Sequence, residues 1–176
     1  MSVIAAKISN DNITITADSI ILKDDLKRTD FSKLRVFNGM IVGGCGSAEE
    51  IELFFSFASN ATPNGTSTFD IQRYLKGFSL HKEEYTGDSK IENCYIIAIE
   101  GRLFETDGMF VREVKDYTAI GEGEPYAIAA LHLGHNTEEA VLCAADLCCN
   151  VSLPYVTYFM NKKLEESPIE VSEWYK

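Results

Sequence analysis

The sequence predicts an α+β protein in which two antiparallel sheets stack face to face and helix pairs cover both outer faces, a four-layer αββα sandwich. Two observations carry this. Strand hairpins come first, followed by two helical stretches, more strands, two more helices and a last strand. No repeat, low-complexity stretch or linker divides the 176 residues, a length that suits one domain. The expected division is a domain over 1–161 and a charged tail over 162–176.

The first strand signal is Val3 to Ile8, followed by the turn cluster Ser9-Asn10-Asp11-Asn12. Ile13-Thr14-Ile15-Thr16 then alternates apolar and polar residues, so the two read as an antiparallel hairpin ending at Ala17-Asp18-Ser19. Lys23 to Ser32 reads as a polar loop. Strands over Lys33 to Phe37 and Met40 to Gly43 are joined by Asn38-Gly39, a strong hairpin turn.

Gly43-Gly44-Cys45-Gly46 leads into a helix at Ser47, where Glu50 three residues later predicts a capping box. Ile51, Phe54, Phe55 and Ala58 share one face of it, widened by Leu53 and Phe57. A second helix is expected over Phe69 to Glu84, weakly interrupted at Gly77. Tyr95-Ile96-Ile97-Ala98-Ile99 is a nearly continuous apolar strand, hence covered on both faces, and Gly101 turns it into Arg102 to Glu105.

After a strand over Tyr117 to Ile120, Gly121-Glu122-Gly123-Glu124-Pro125 places proline in the first turn of a helix. Tyr126 to Leu133 is apolar almost all round. The next helix, expected to be capped by Thr137, is broadly apolar from Ala140 to Cys149. Helices without a polar face sit between a sheet and something else, commonly a neighbouring subunit. Tyr155 to Met160 is the last strand. Trp174-Tyr175 in the tail either docks on a neighbour or moves freely.

A net charge of −11 argues against nucleic-acid binding and against adhesion to anionic membranes, both of which need a positive footprint. No stretch approaches the roughly 20 apolar residues of a membrane span, and the first residues lack the shape of a signal peptide. The five cysteines, Cys45, Cys94, Cys143, Cys148 and Cys149, read as small buried hydrophobes in a reducing cytoplasm. His132 and His135 have no third partner for a metal and suit surface or capping roles. No cofactor and no metal is expected.

Chemistry could lie at the chain start. If Met1 is removed, Ser2 offers both a nucleophilic oxygen and an α-amine. With an ordinary pKa of roughly 7.7–8.0, that amine can act as base for its own hydroxyl. A nearby lysine would lower that pKa, a carboxylate would hold the lysine, and a glycine before a helix would offer N–H groups to an oxyanion. Lys33, Asp18 and Gly46 are the respective candidates.

The segments Thr16-Ala17-Asp18-Ser19, Lys33-Leu34-Arg35, Gly43-Gly44-Cys45-Gly46-Ser47 and Ala119-Ile120-Gly121-Glu122-Gly123-Glu124-Pro125-Tyr126-Ala127 resemble those of proteasome β-type subunits and HslV-like peptidases. The resemblance runs to about Phe159, in matching order and spacing. It implies the N-terminal-nucleophile hydrolase fold, a mature first residue acting as nucleophile, and Asp18, Lys33 and Gly46 as carboxylate, lysine and oxyanion donor. It also implies closed rings, possibly stacked as a double ring, and an ATP-driven AAA+ unfoldase that feeds them polypeptide.

The chain departs from the pattern near the amine. Glu122 stands where the family has serine, Asn150 where it has a supporting aspartate, and Leu153 where it has a second serine. Glu122 would anchor an ammonium and raise its pKa, the wrong direction for a base. Three readings stay open: a peptidase subunit with Ser2 as nucleophile, a non-catalytic scaffold subunit of the same fold, and a small-molecule amidase.

Overall fold

The computed structural model describes residues 2–23, 26–29, 31–162 and 170–174. Its strands are β1 (Ile4–Ile8), β2 (Asn12–Asp18), β3 (Ile21–Lys23), β4 (Leu26–Arg28), β5 (Leu34–Phe37), β6 (Met40–Cys45), β7 (Cys94–Ile99), β8 (Arg102–Asp107), β9 (Phe110–Val114), β10 (Tyr117–Ile120), β11 (Tyr155–Asn161) and β12 (Glu170–Trp174). Its helices are α1 (Ala48–Asn60), α2 (Thr68–Thr86), α3 (Glu124–His132) and α4 (Thr137–Leu147). One five-stranded sheet runs β10-β1-β2-β11-β12 and a second runs β5-β6-β7-β8-β9, with β3-β4 a separate hairpin. All pairings are antiparallel.

Strand alternation sorts the apolar residues into three layers. From β1, Ile4 and Ala6 point between the sheets and join Ile13, Ile15 and Ala17 of β2, Ile41 and Cys45 of β6, and Ile96 and Ala98 of β7. Ala5 faces the other way, toward Ala127 and Leu131 of α3 and Ala140, Val141 and Ala144 of α4. In the second sheet Met40, Val42, Tyr95, Ile97 and Phe104 meet Ile51, Phe54 and Phe55 of α1 and Leu75 and Phe78 of α2. The result is the expected four layers, α1–α2, sheet, sheet, α3–α4. A strand such as β7, covered on both faces, must be apolar at every position.

Several local expectations are corrected. The stretch 23–32 is not all loop: it contributes the end of β3 and all of β4. The segment between β8 and β10 forms β9, and Glu170–Trp174 pairs with β11 as a further strand, while Tyr175 lies outside the described residues. Ser47 is the N-cap of α1 but makes no side-chain cap, because Glu50 turns into the protein toward Lys82 and Tyr95. Capping boxes form instead at Ser67 with Asp70 and at Asn136 with Glu139.

Thr137 is therefore not the cap of α4. Its hydroxyl lies 2.7 Å from that of Thr16, buried against β2. Gly77 does not break α2; a Cβ there would come within 3.1 Å of Phe57 Cζ, so the bare position lets α1 and α2 approach. Of the five cysteines only Cys45 is buried, while Cys149 is exposed. His132 and His135 take surface partners, Tyr117 and Glu139.

Phe54 centres an aromatic cluster, with ring centroids 4.8 Å from Phe78 and 4.2 Å from Tyr95. Phe54→Ala should therefore cost about 3–5 kcal/mol of stability, read from denaturant unfolding. Glu113 on β9 is gripped by Arg102, with contacts of 2.9 and 2.8 Å, and by Lys115 at 2.7 Å. Hydrogen bonds from Arg102, then Lys115, hold its carboxyl down at about 2, against an ordinary 4.5. A carboxyl depressed in the folded state adds stability above its unfolded pKa and loses it as the pH falls through its folded value. The Tm should accordingly fall between about pH 4.5 and pH 2, and Glu113→Gln should flatten that limb.

Candidate active site

The site is assembled where strand ends of the two sheets meet at the chain start. Ser2 lies two residues before the first residue of β1 and is 2 % exposed. Val3 N–H donates to Asp18 Oδ1 at 2.9 Å, and Asp18 N–H donates to Val3 O at 3.2 Å. These two bonds fasten the first residues to the end of β2. Asp18 is placed there because β2 delivers it one step past the apolar Ala17 that faces the other sheet.

Lys33 comes from the second sheet, just before β5, and its Nζ donates to Asp18 Oδ1 at 2.7 Å. Asp18 is 0 % and Lys33 1 % exposed, so the ion pair is fully withdrawn from water. Burial pushes the Asp18 carboxyl up from its ordinary value, opposed by the charge and hydrogen bond of Lys33 and by the Val3 amide. Lys33 O also accepts from Gly44 N–H at 3.1 Å, which fixes the lysine backbone to β6.

Gly46 follows β6 with φ +133, a conformation open to glycine and rarely to any other residue. Ser2, Lys33, Gly46, Ser47 and Ala48 line one cavity of about 190 Å³, closed on its apolar side by Ile20, Ile21, Phe31 and Ile51. Ser2, Lys33 and Gly46 therefore border a single space. Cys45 lies beside Ser2, and burial pushes its thiol up to about 12, so it stays protonated at neutral pH and offers no rival nucleophile.

The turn before α3 closes over the chain start from the other side. Gly123 N–H donates to Ser2 O at 3.1 Å. A Cβ on Gly121 would fall 2.5 Å from that same oxygen, so the turn can come this close only as glycine. Glu122 between them accepts a hydrogen bond from Asn150 Nδ2, beyond α4. Leu153, partly buried, packs against the α3–α4 core, where a serine would have offered a hydroxyl.

All six candidates are thus gathered at one end of the sandwich, four around or beneath the cavity and two paired beside the chain start. The cavity wall of Ile20, Ile21 and Phe31 was not singled out by the sequence, since apolar residues around a polar loop carry no mark of a pocket. Asn93, whose carboxamide occupies the position a Cβ on Gly46 would need, was missed as well. Among the described residues no cluster of His, Cys, Asp or Glu is placed to hold a metal ion, and no helix is long and apolar enough to cross a membrane.

No protein-family model matches the sequence, and no curated protein sequence matches it. Solved structures do. BPH from Thiobacillus denitrificans, in a complex with epoxomicin, superposes with a TM-score of 0.80 at 20% identity, covering 92% of this chain and 100% of that one. Eukaryotic HslV from Trypanosoma brucei gives 0.66 at 20% identity over 90% of this chain and 99% of that one. An Anbu variant from Hyphomicrobium sp. strain MC1 gives 0.74 at 12% identity over 98% and 87%. The chain has the proteasome-like, N-terminal-nucleophile hydrolase fold, to which it is similar over nearly its whole length.

Proposed function

We propose that this chain is a peptidase subunit whose nucleophile is the Ser2 hydroxyl, released as the first residue once Met1 is removed. The observation that carries the reading is the buried Lys33–Asp18 pair at a cavity that also takes in Ser2 and Gly46. A buried ion pair is a poor stabilising device, so its placement at a cavity that Ser2 also lines favours a chemical use.

The freed α-amine takes the hydroxyl proton as Ser2 Oγ bonds to the scissile carbonyl carbon. The carbonyl oxygen becomes an oxyanion and accepts from Gly46 N–H. Collapse breaks the C–N bond, and the proton passes from the ammonium to the departing amine. An ester on Ser2 Oγ remains. Water, giving its proton to the same amine, then attacks the ester, releasing a carboxylic acid and restoring the hydroxyl. The Lys33 charge keeps the amine pKa low enough for this work, and Asp18 fixes the lysine. Ile20, Ile21, Phe31 and Ile51 give the cavity an apolar wall that suits an apolar substrate side chain.

The substrate is polypeptide, and the chain acts in a closed homo-oligomeric ring in the cytoplasm, served by an ATP-driven unfoldase. Exposed Tyr126, Leu133 and Leu147 on the α3–α4 layer support association with further copies. A second reading, a scaffold subunit without chemistry, is favoured by one observation. Glu122, paired with Asn150 beside the chain start, would stabilise an ammonium there rather than a base.

Intact mass before and after incubation with a peptide epoxyketone separates the two. Loss of Met1 and a stoichiometric adduct mapped to Ser2 are expected; a retained Met1 without adduct would exclude the Ser2 mechanism and leave the scaffold as the better account. Lys33→Met should slow adduct formation by about 10²–10⁴-fold, the range for losing a proton-transfer aid. It should also cost about 3–5 kcal/mol of stability, because Asp18 is left buried without its cation.

A further inference from the structure

The oxyanion donor of the proposed mechanism sits at a turn whose shape is held from outside the cavity. Gly46 keeps φ +133, and a Cβ there would lie 2.0 Å from Asn93 Oδ1 and 2.5 Å from its Cγ. The Asn93 carboxamide lies against the bare glycine. It then grips the next residue at both backbone groups: Ser47 N–H donates to Asn93 Oδ1 at 2.7 Å, and Asn93 Nδ2 donates to Ser47 O at 2.9 Å. Asn93 is 3 % exposed.

The grip is itself anchored. Asn93 N–H donates to Glu50 Oε1 at 3.0 Å, and the Tyr95 hydroxyl donates to the same oxygen at 3.0 Å. Glu50 Oε2 accepts from Lys82 Nζ at 2.9 Å, and Lys82 also reaches Asp88 at 3.3 Å. Glu50 and Lys82 are 4 % and 6 % exposed, a second buried ion pair in the same molecule. The hydrogen bond and charge of Glu50, joined by Asp88, outweigh the burial of Lys82 and hold its ammonium above its ordinary pKa. Glu50 is drawn out of helix capping for this task, and α1, α2 and the approach to β7 converge on it.

Two consequences follow for the turn. Ser47 N–H is consumed by Asn93, so it cannot serve an oxyanion. Gly46 N–H is the donor at that turn which Asn93 does not engage. It lies in the preceding Cys45–Gly46 peptide plane, whose orientation relative to the clamped Gly46–Ser47 plane is set by the Gly46 torsions, with φ at +133 and the Asn93 carboxamide against its Cα. We propose that Asn93 is a positioning residue for the oxyanion donor, its carboxamide fixing the Gly46–Ser47 backbone from the Glu50–Lys82 pair behind it. The proposal rests on the peptidase reading above. It asks of a distant side chain what catalysis by preorganised dipoles requires, a donor aimed before the charge appears.

The test compares the full-length protein, Met1 removed, with Asn93→Ala and with Leu75→Ala, a buried α2 substitution that removes core packing and none of the Asn93 hydrogen bonds. The probe is a peptide epoxyketone with a leucine side chain next to the ketone. Two quantities are read: the limiting rate of adduct formation at Ser2 and the half-saturating concentration. For Asn93→Ala the limiting rate should fall by about 10²-fold, within the range for loss of one oxyanion donor, with half-saturation nearly unchanged. Leu75→Ala should keep the wild-type rate. Equal rates for Asn93→Ala and wild type, or equal losses in both variants, would overturn the proposal. Should Asn93→Ala fail to fold, Asn93→Ser, which admits water in place of the carboxamide, takes its role.

If the wild-type protein forms no adduct, the peptidase reading fails by itself. The clamp is then decided by amide hydrogen exchange at Ser47. Loss of protection there in Asn93→Ala, with α3 and α4 unchanged, keeps the clamp. Unchanged protection refutes it.

Discussion

The ion pair between Lys33 and Asp18 is the constraint on which the arrangement of the site depends. It joins the end of β2 in one sheet to the residue before β5 in the other, with both charges out of water. Such a pair is held only where geometry is tight, since desolvation works against each charge separately. Here Oδ1 of Asp18 takes two donors, the ammonium and the Val3 amide, so the same oxygen that binds the lysine also fixes the first strand. The position of Ser2 relative to Lys33 is therefore not an independent feature. It is set by a single carboxylate.

The glycines make that convergence possible. A side chain at Gly43 would meet Leu34 Cδ2 at 2.4 Å, and one at Gly123 would meet both Val3 and Val151 at 2.8 Å. Two sheets and a helix-leading turn thus come together on one short stretch of chain with no bulk between them. The cavity is what remains after this approach, and its apolar wall is supplied by Ile20, Ile21 and Phe31 and by Ile51 of α1.

The second buried pair, Glu50 with Lys82, does for the rear of the turn what Lys33 and Asp18 do for its front. Each pair gathers backbone amides as well as the opposite charge: Val3 for Asp18, Glu92 and Asn93 for Glu50. A carboxylate used in this way satisfies peptide groups that loops next to a site would otherwise leave buried and unpaired. Both ends of the Gly44–Ser47 segment are fixed in consequence, by Lys33 O at one end and by Asn93 at the other.

The sequence by itself determined the layers. Alternation in Ile13 to Thr16, the unbroken apolar run at Tyr95 to Ile99 and the Asn38-Gly39 turn are local signals, readable because side-chain direction follows backbone period. It also marked Ser2, Asp18, Lys33 and Gly46 as residues whose types suit one chemistry. Only the tertiary structure decided which of them meet and what else meets them. Glu50 reads locally as a helix cap, yet Lys82, Tyr95 and Asn93 claim it, and none of these is near it in the chain. Asn93 carried no signal at all, because its partner Ser47 is 46 residues away. A hydrogen bond across that separation depends on sheet pairing and helix packing, which no local pattern encodes.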